Sequence, residues 1–319
     1  MKKNYKIILK SKKKNYLVTI AIGKKYYKSW EKYSSETWIK YCKRHSLGLI
    51  VFTDHLISKK NKLWKKPTWQ KFLIGFFVKN FLYKLNIKNI CYLDTDILIN
   101  PYAPNIFDSY NNKKIAVVSI RTGMPYPFLE VRKKIAFLRR SFYSKKYPLD
   151  SSLFISLKNL YKFHNMKVQK NEACAGLFVF NVKSHSEKFY DWFFKYNKDI
   201  KTITNGGDQT HFNFHVQNEK LDQWIDYRFQ ALWNYEMAWY YPYLYEKRSC
   251  TNLNKKNAIE ATLFKNYFLH FAGSWPESDM WKTKNILKDK KLLKNYNFYF
   301  NYLKKKVLGK PKGQISFSK

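Results

Sequence analysis

Short apolar runs alternate with helically spaced segments along most of this chain. Tyr16-Leu17-Val18-Thr19-Ile20-Ala21-Ile22-Gly23 predicts a first buried strand that stops at glycine. Residues 28–45 carry helical spacing, and Leu49-Ile50-Val51-Phe52 predicts a second strand ending at Thr53-Asp54. A strand, a helix and a strand at this length suggest a βαβ unit. Trp69 to Leu85 fits one long buried helix, and Asn89 to Ile99 one strand, closed off by Pro101 and Pro104. Ile115-Ala116-Val117-Val118-Ser119 and Ala175-Gly176-Leu177-Phe178-Val179-Phe180-Asn181 are further strands, the second followed by a helix over 185–198. Asn205-Gly206-Gly207-Asp208-Gln209 predicts a turn into a helix, and Asn266 to Phe271 a last short strand. Periodicity is weak over 121–170, and 224–245 is dense in Trp and Tyr. The expectation is one α/β domain over 15–276.

Both ends differ from this body. Residues 1–14 form a basic leader with no predicted order. From Trp281 onward there are many lysines and a single acid, Asp289. Leu292, Tyr296, Tyr299, Phe300, Leu303 and Val307 recur there at helical spacing, so 277–319 is expected to be a basic amphipathic tail.

Cys91-Tyr92-Leu93-Asp94-Thr95-Asp96-Ile97-Leu98-Ile99 carries the sharpest chemical signal. Alternation in a strand turns Asp94 and Asp96 to the same side. Two carboxylates held together repel unless a cation lies between them or one takes up a proton. Hard oxygen ligands suit Mg²⁺ or Mn²⁺, ions that commonly bridge protein to a diphosphate. The pair also sits at the carboxyl end of an apolar strand, the edge where open α/β sheets bind ligands.

Composition narrows this picture only in part. The 319 residues suffice for one large domain or two modest ones. The net charge of +39 suits a polyanionic partner: nucleic acid, an anionic membrane or a phosphorylated substrate. Lys, Asn, Ile, Tyr and Phe are all abundant and all have AT-rich codons, so the charge alone defines no function. Cys42, Cys91, Cys174 and Cys250 are scattered without a CxxC pair, which suits a reducing compartment and argues against structural zinc. No segment resembles a signal peptide, and the longest apolar stretch, Phe72 to Leu85, is broken by Lys79 and Lys84. A cytoplasmic location follows as the expectation, with peripheral contact at a membrane surface through the tail.

In several blocks the chain resembles the nucleotide-sugar-dependent glycosyltransferases of the GT-A fold, and among them the glycogenin and bacterial lipopolysaccharide galactosyltransferase group. The blocks are Leu17-Val18-Thr19-Ile20-Ala21, Trp69-Gln70-Lys71-Phe72, Tyr92-Leu93-Asp94-Thr95-Asp96, Ala175 to Asn181, Gly207-Asp208-Gln209 and His270-Phe271-Ala272-Gly273. They occur in the family's order over 16–276. The resemblance implies a Rossmann-like mixed sheet flanked by helices. It implies transfer of a sugar from a nucleotide-diphosphate donor, a UDP-hexose first, to a saccharide or lipid-linked acceptor, with retention of configuration favoured. Asp94, Asp96 and His270 would hold Mn²⁺ or Mg²⁺, the imidazole favouring Mn²⁺. Lys71 would face the donor phosphates, with Lys79 as the alternative because the linker to Asp94 is long. Thr19, Ala21, Thr53 and Asp54 would line the base and ribose, and Thr95 and Gly273 complete the donor contacts. Asp208 would accept from a donor-sugar hydroxyl, and Gln209 would face the developing oxocarbenium-like centre. Without the resemblance, Gly206-Gly207-Asp208 is equally a turn and helix cap.

Two positions depart from the family pattern. Cys174 stands where Asn commonly precedes Ala-Gly, with Asn171 and Glu172 near enough to compensate. Pro276 replaces a lysine after the His-x-x-Gly block, leaving Lys282 or another tail lysine to supply that charge. The cluster Trp233, Tyr235, Trp239, Tyr240, Tyr241 and Tyr243 fits either an acceptor groove, since sugar C–H faces stack on rings, or core packing. Two other functions compete. A nucleic-acid-binding protein would use the basic surface, but neither an RNP1-like stretch nor paired Cys/His fingers are present, so no nucleic-acid partner is expected. A catalytically silent, glycan-binding homologue is the third reading, and the intact Asp94, Asp96 and His270 set argues against it.

Overall fold

The computed structural model describes residues 4–146, 153–197, 200–203, 207–289 and 291–295. Among them ten strands form two sheets. They are β1 (Tyr5–Leu9), β2 (Asn15–Ile20), β3 (Gly48–Phe52), β4 (Asn89–Leu93), β5 (Ile97–Ile99), β6 (Ile115–Ser119), β7 (Ala173–Asn181), β8 (Asp222–Ile225), β9 (Ala231–Leu232) and β10 (Phe268–His270). Seven build a mixed sheet in the order β1-β3-β2-β4-β7-β6-β8, and β5-β10-β9 form a small second sheet. The expected βαβ unit is present: β2 and β3 run parallel, with Leu17 opposite Leu49 and Thr19 opposite Val51. β4 adds parallel to β2, and β7 then runs antiparallel to β4.

Ten helices cover the sheet: α1 (Lys24–Tyr33), α2 (Ser35–His45), α3 (Pro67–Gln70), α4 (Ile74–Phe81), α5 (Phe128–Phe142), α6 (Leu157–Phe163), α7 (Val182–Phe194), α8 (Asp208–Asn218), α9 (Trp233–Tyr240) and α10 (Asn252–Lys265). Because both faces of the large sheet are covered, its central strands are nearly continuous apolar runs rather than alternating ones. Tyr16, Val18, Ile50, Ile90, Tyr92, Phe178 and Phe180 enter one core with α4, α7 and α8. Leu17, Leu49, Val51, Cys91, Leu93, Leu177 and Val179 enter the other.

Several sequence-based boundaries change. The helix expected over 28–45 is two helices broken at Ser34, whose hydroxyl donates to Thr95 O at 3.0 Å. The segment from Trp69 to Leu85 divides into α3, a 3₁₀ turn at Lys71–Leu73, α4 and a second 3₁₀ turn at Tyr83–Leu85. The strand expected over 89–99 is two strands in different sheets, because 94–96 form a turn. The weakly periodic 121–170 contains α5 and α6; Val131, Ile135 and Leu138 are the buried apolar stripe of α5. Residues 5–9, read as unordered leader, instead pair antiparallel with β3. At the other end the packed body passes residue 276, since Glu277, Met280, Trp281 and Leu287 are buried. Asn205, Gly206 and the proposed tail positions beyond 295 lie outside the described residues. No helix among the described residues is long and apolar enough to cross a membrane. All four cysteines are free thiols.

Candidate active site

Asp94 follows the last residue of β4, and its N–H donates to Gly176 O of β7 at 2.8 Å. The chain then turns, Ile97 N donating to Asp94 O at 3.3 Å, and leaves in β5. That turn, not strand alternation, brings the Asp94 and Asp96 carboxylates together. The register of the second sheet supplies His270: β10 places it opposite Ile97, and Phe271 N donates to Asp96 O at 3.1 Å. One ligand atom from each of Asp94, Asp96 and His270 lies within 4.8 Å of the others. His270 Nε2 is 3.4 Å from Asp96 Oδ1 and 3.9 Å from Asp94 Oδ2.

The imidazole is oriented from behind. Gln230 satisfies its neighbours when its oxygen accepts from Leu177 N (3.0 Å) and His270 Nδ1 (3.1 Å), and its nitrogen donates to Cys174 O (3.2 Å). Proton and hydrogen bond at Nδ1 leave the Nε2 lone pair facing the carboxylates, the arrangement of a metal-ligating histidine. Burial opposes a further proton on His270, but Cys174 and Asp96 outweigh it and hold the imidazole well above its ordinary range. Asp96 Oδ1 is buried and accepts no hydrogen bond from any described residue. An orphaned carboxylate oxygen beside a histidine drawn toward protonation is a site short of positive charge. Two carboxylates and one imidazole fit Mn²⁺ or Mg²⁺ by donor type.

Lys71 supplies a fixed cation. The 3₁₀ turn after α3 buries its side chain, and Nζ donates to Ala175 O at 2.9 Å. Nζ also lies 3.0 Å from Asp208 Oδ2 and 3.7 Å from Asp94 Oδ1. Burial works against its proton, but Asp208 and Asp94 more than offset that and raise its pKa. Lys79 is exposed and pairs with Glu187, so the choice between the two lysines falls to Lys71 for this cluster. Tyr92 closes the other side, its hydroxyl donating to Asp94 Oδ1 at 2.5 Å.

Asp208 and Gln209 open α8, after Gly207 at φ 79°, a left-handed turn that suits glycine. Amide side chains dock this helix on β7. Asn213 accepts from Ala173 N (2.7 Å) and donates to Ala173 O (2.8 Å), while Gln217 donates to Asn171 O (2.7 Å). Gln209 Nε2 donates to Glu172 Oε1 at 2.8 Å, and Arg121 grips Glu172 Oε2 through Nε (2.8 Å) and Nη2 (2.6 Å). A cavity of about 510 Å³ joins these groups; Asp94, Asp96, His270, Lys71, Asp208 and Gln209 line it, as do Cys174, Gly273, Asn234 and Trp275. That volume suits a small organic ligand.

Residues expected at the nucleotide divide. Ala21, Thr53 and Asp54 follow β2 and β3 on the same sheet edge as Asp94. Ala21 is buried with its N–H donating to Phe52 O, and Asp54 is exposed. Thr19 is fully buried within β2, and Thr95 gives its carbonyl to Ser34. None of these five lines the cavity. Cys174 sits with Sγ 3.5 Å from His270 Nδ1. Lys282 pairs with Asp279 and takes no part in the lining. Of the aromatic cluster, Trp233 and Tyr235 are core, while Tyr240 and Tyr243 are exposed. The sequence reading did not single out Tyr92, Gln230 or Arg121. Gln230 lies in Arg228-Phe229-Gln230-Ala231-Leu232, which carries no pattern tied to the distant His270.

No family model matches the chain, and no curated protein matches it. Many solved structures are similar in architecture, and two of them illustrate the likeness. One is a glycosyltransferase involved in the glycosylation of the major capsid of PBCV-1, with 10% identity and TM-score 0.43, covering 84% of this chain and 98% of that one. The other is the WbbM bifunctional glycosyltransferase in its apo form, with 12% identity and TM-score 0.49. The match covers 90% of this chain but spans about half of WbbM, 52%.

Proposed function

We propose that this protein is a metal-dependent glycosyltransferase that moves a hexose from a UDP-linked donor to a saccharide or lipid-linked acceptor. The observation that carries this reading is the convergence of Asp94, Asp96 and His270 beside the buried Lys71–Asp208 pair, at the rim of one cavity. Carboxylates, imidazole and ammonium in one volume suit a ligand with both phosphate and hydroxyl groups. Mn²⁺ held by the three ligands would supply a Lewis acid for the leaving diphosphate. Lys71 adds a cation that stays charged, close to where the phosphates would lie. Asp208 accepts from a donor-sugar hydroxyl. Because Glu172 holds the nitrogen of Gln209, the oxygen of that amide is the end left for the reacting carbon. As the bond from C1 to the diphosphate breaks, an acceptor hydroxyl oxygen bonds to C1 on the same face and its proton passes to the departing diphosphate oxygen, with retention of configuration. Ala21, Thr53 and Asp54 flank the base and ribose, and Thr95 and Gly273 the diphosphate. The domain proposal extends the expected catalytic body of about 15 to 276 by β1 and by the packed residues through Leu287, with a basic tail beyond them that meets anionic lipid, in the cytoplasm.

The test is a thermal-shift panel of UDP-, GDP-, CMP- and dTDP-sugars, each with and without Mn²⁺. A ligand that binds only the native state raises its melting temperature by mass action. A Mn²⁺-dependent rise with UDP-sugars, lost in Asp96→Asn, is expected. No rise with any sugar nucleotide would overturn the reading.

A further inference from the structure

The outward face of α5 exposes large apolar side chains that nothing among the described residues covers. Leu129 is 62% and Phe137 68% exposed, eight positions apart on one helix. At the α-helical rise they stand about 12 Å apart along the axis, and at the α-helical turn about 80° apart around it, with Lys133 midway between them. Lys133, Lys134 and Arg140 are exposed between and beside them, and Lys145 and Lys146 follow the helix. The one acid on this face, Glu130, is already bound by Lys133 at 2.9 Å. Beside Phe137 an open depression is lined by Ala136, Arg140, Ser141 and Lys145, two cations around an apolar floor. Tyr240 and Tyr243, also exposed, come from α9 and the turn after it, both of which pack on α5.

We infer that this face docks the protein on an anionic lipid bilayer. Singly exposed apolar residues need no explanation; two large ones flanking a lysine on the outward side of a cationic helix do. A protein partner would cover them with a shaped apolar surface. The exposed residues here are instead rings and an isobutyl group set among five cations with one neutralised acid. A layer of acidic headgroups over an apolar interior matches that mixture: Leu129 and Phe137 enter the acyl boundary while Lys133, Lys134, Arg140, Lys145 and Lys146 meet phosphates. The same helix turns Arg139 inward to the cavity lining, where it pairs with Glu277. Docking through α5 therefore holds the cavity at a fixed distance from the membrane. This assignment depends neither on the reaction nor on residues 296–319.

The test uses the full chain and co-sedimentation with vesicles of phosphatidylcholine alone or phosphatidylcholine mixed with phosphatidylglycerol. The wild type should partition to the mixed vesicles and weakly to the neutral ones. Leu129→Ser with Phe137→Ser keeps every charge and should lower partitioning roughly tenfold or more. Lys133→Glu with Arg140→Glu should lower it comparably, through charge. Both pairs are exposed, so an unchanged circular dichroism spectrum and melting temperature are expected. If the Leu129/Phe137 variant partitions as the wild type does, the face is not the docking site. If the wild type ignores both vesicles and is a dimer that this variant splits, the face is a contact between copies of the chain, and the lipid assignment fails.

Discussion

Gly176→Ala probes the whole site with one methyl group. Gly176 sits in β7 where a Cβ would lie 2.3 Å from His270 Cε1, 2.7 Å from Asp94 Oδ2 and 3.0 Å from His270 Nε2. Ordinary van der Waals contact begins at 3.4 Å, so His270 would have to retreat by 3.4 − 2.3, or 1.1 Å. Metal–ligand distances tolerate about 0.2 Å, so the displacement exceeds the tolerance about fivefold. The ring cannot yield freely, because Gln230 holds Nδ1 and β10 is paired on both sides. Nor can β7 move away, since Leu177 and Phe178 pair with Leu93 and Tyr92. The strain should cost about 1–3 kcal/mol of stability. Mn²⁺ affinity, measured by isothermal titration, should fall by about 100-fold. Adding His270→Ala should recover stability without recovering affinity. Wild-type Mn²⁺ affinity in Gly176→Ala would refute the three-ligand site.

Three further outcomes are expected. Lys71→Met strands the buried Asp208 carboxylate and should cost about 3 kcal/mol or more in urea denaturation; Asp208→Asn in the same chain should restore part of it, and additive losses would show the pair is uncoupled. Gln230→Leu frees Nδ1 of His270 and should weaken Mn²⁺ binding roughly tenfold to hundredfold, so unchanged affinity would show that the imidazole needs no partner. Glu236 is buried and accepts from Tyr126 (3.0 Å) and Tyr227 (3.3 Å); burial pushes its carboxyl from 4.5 up to about 7. The folded state then binds more protons than the unfolded one between those values. Stability should therefore fall as pH rises through that window, by up to about 3 kcal/mol, and level off above it. Glu236→Gln should flatten this dependence, and parallel profiles for the two proteins would refute it.

Much of the fold was legible because the signal was local. β2, β3, β6 and β7 are buried on both faces, so each appears in sequence as an unbroken apolar run that needs no partner to be recognised. α5 was missed for the opposite reason. Its buried stripe of Val131, Ile135 and Leu138 is interrupted by charges and by the exposed Leu129 and Phe137, which blur the period. The break between β4 and β5 was also hidden, because Ile97-Leu98-Ile99 is as apolar as the strand before it and only its partners differ.

The site divides in the same way. By itself the sequence determined the residue types: paired acids after an apolar strand, a histidine ending another, a lysine on a turn of buried helix. Their meeting was decided by tertiary structure. A turn at 94–96 moves the chain from one sheet to the other, and the β5–β10 register carries His270 across 176 residues of sequence (270 − 94) to Asp94. Burial and neighbours then set the charges, since Asp208 and Asp94 beside Lys71 raise its pKa against the opposing effect of burial. Gln230, Glu172 and Arg121 acquire their roles from contacts between segments far apart in the chain. Local sequence encodes propensity and pattern, but hydrogen-bond partners and desolvation exist only once distant segments pack.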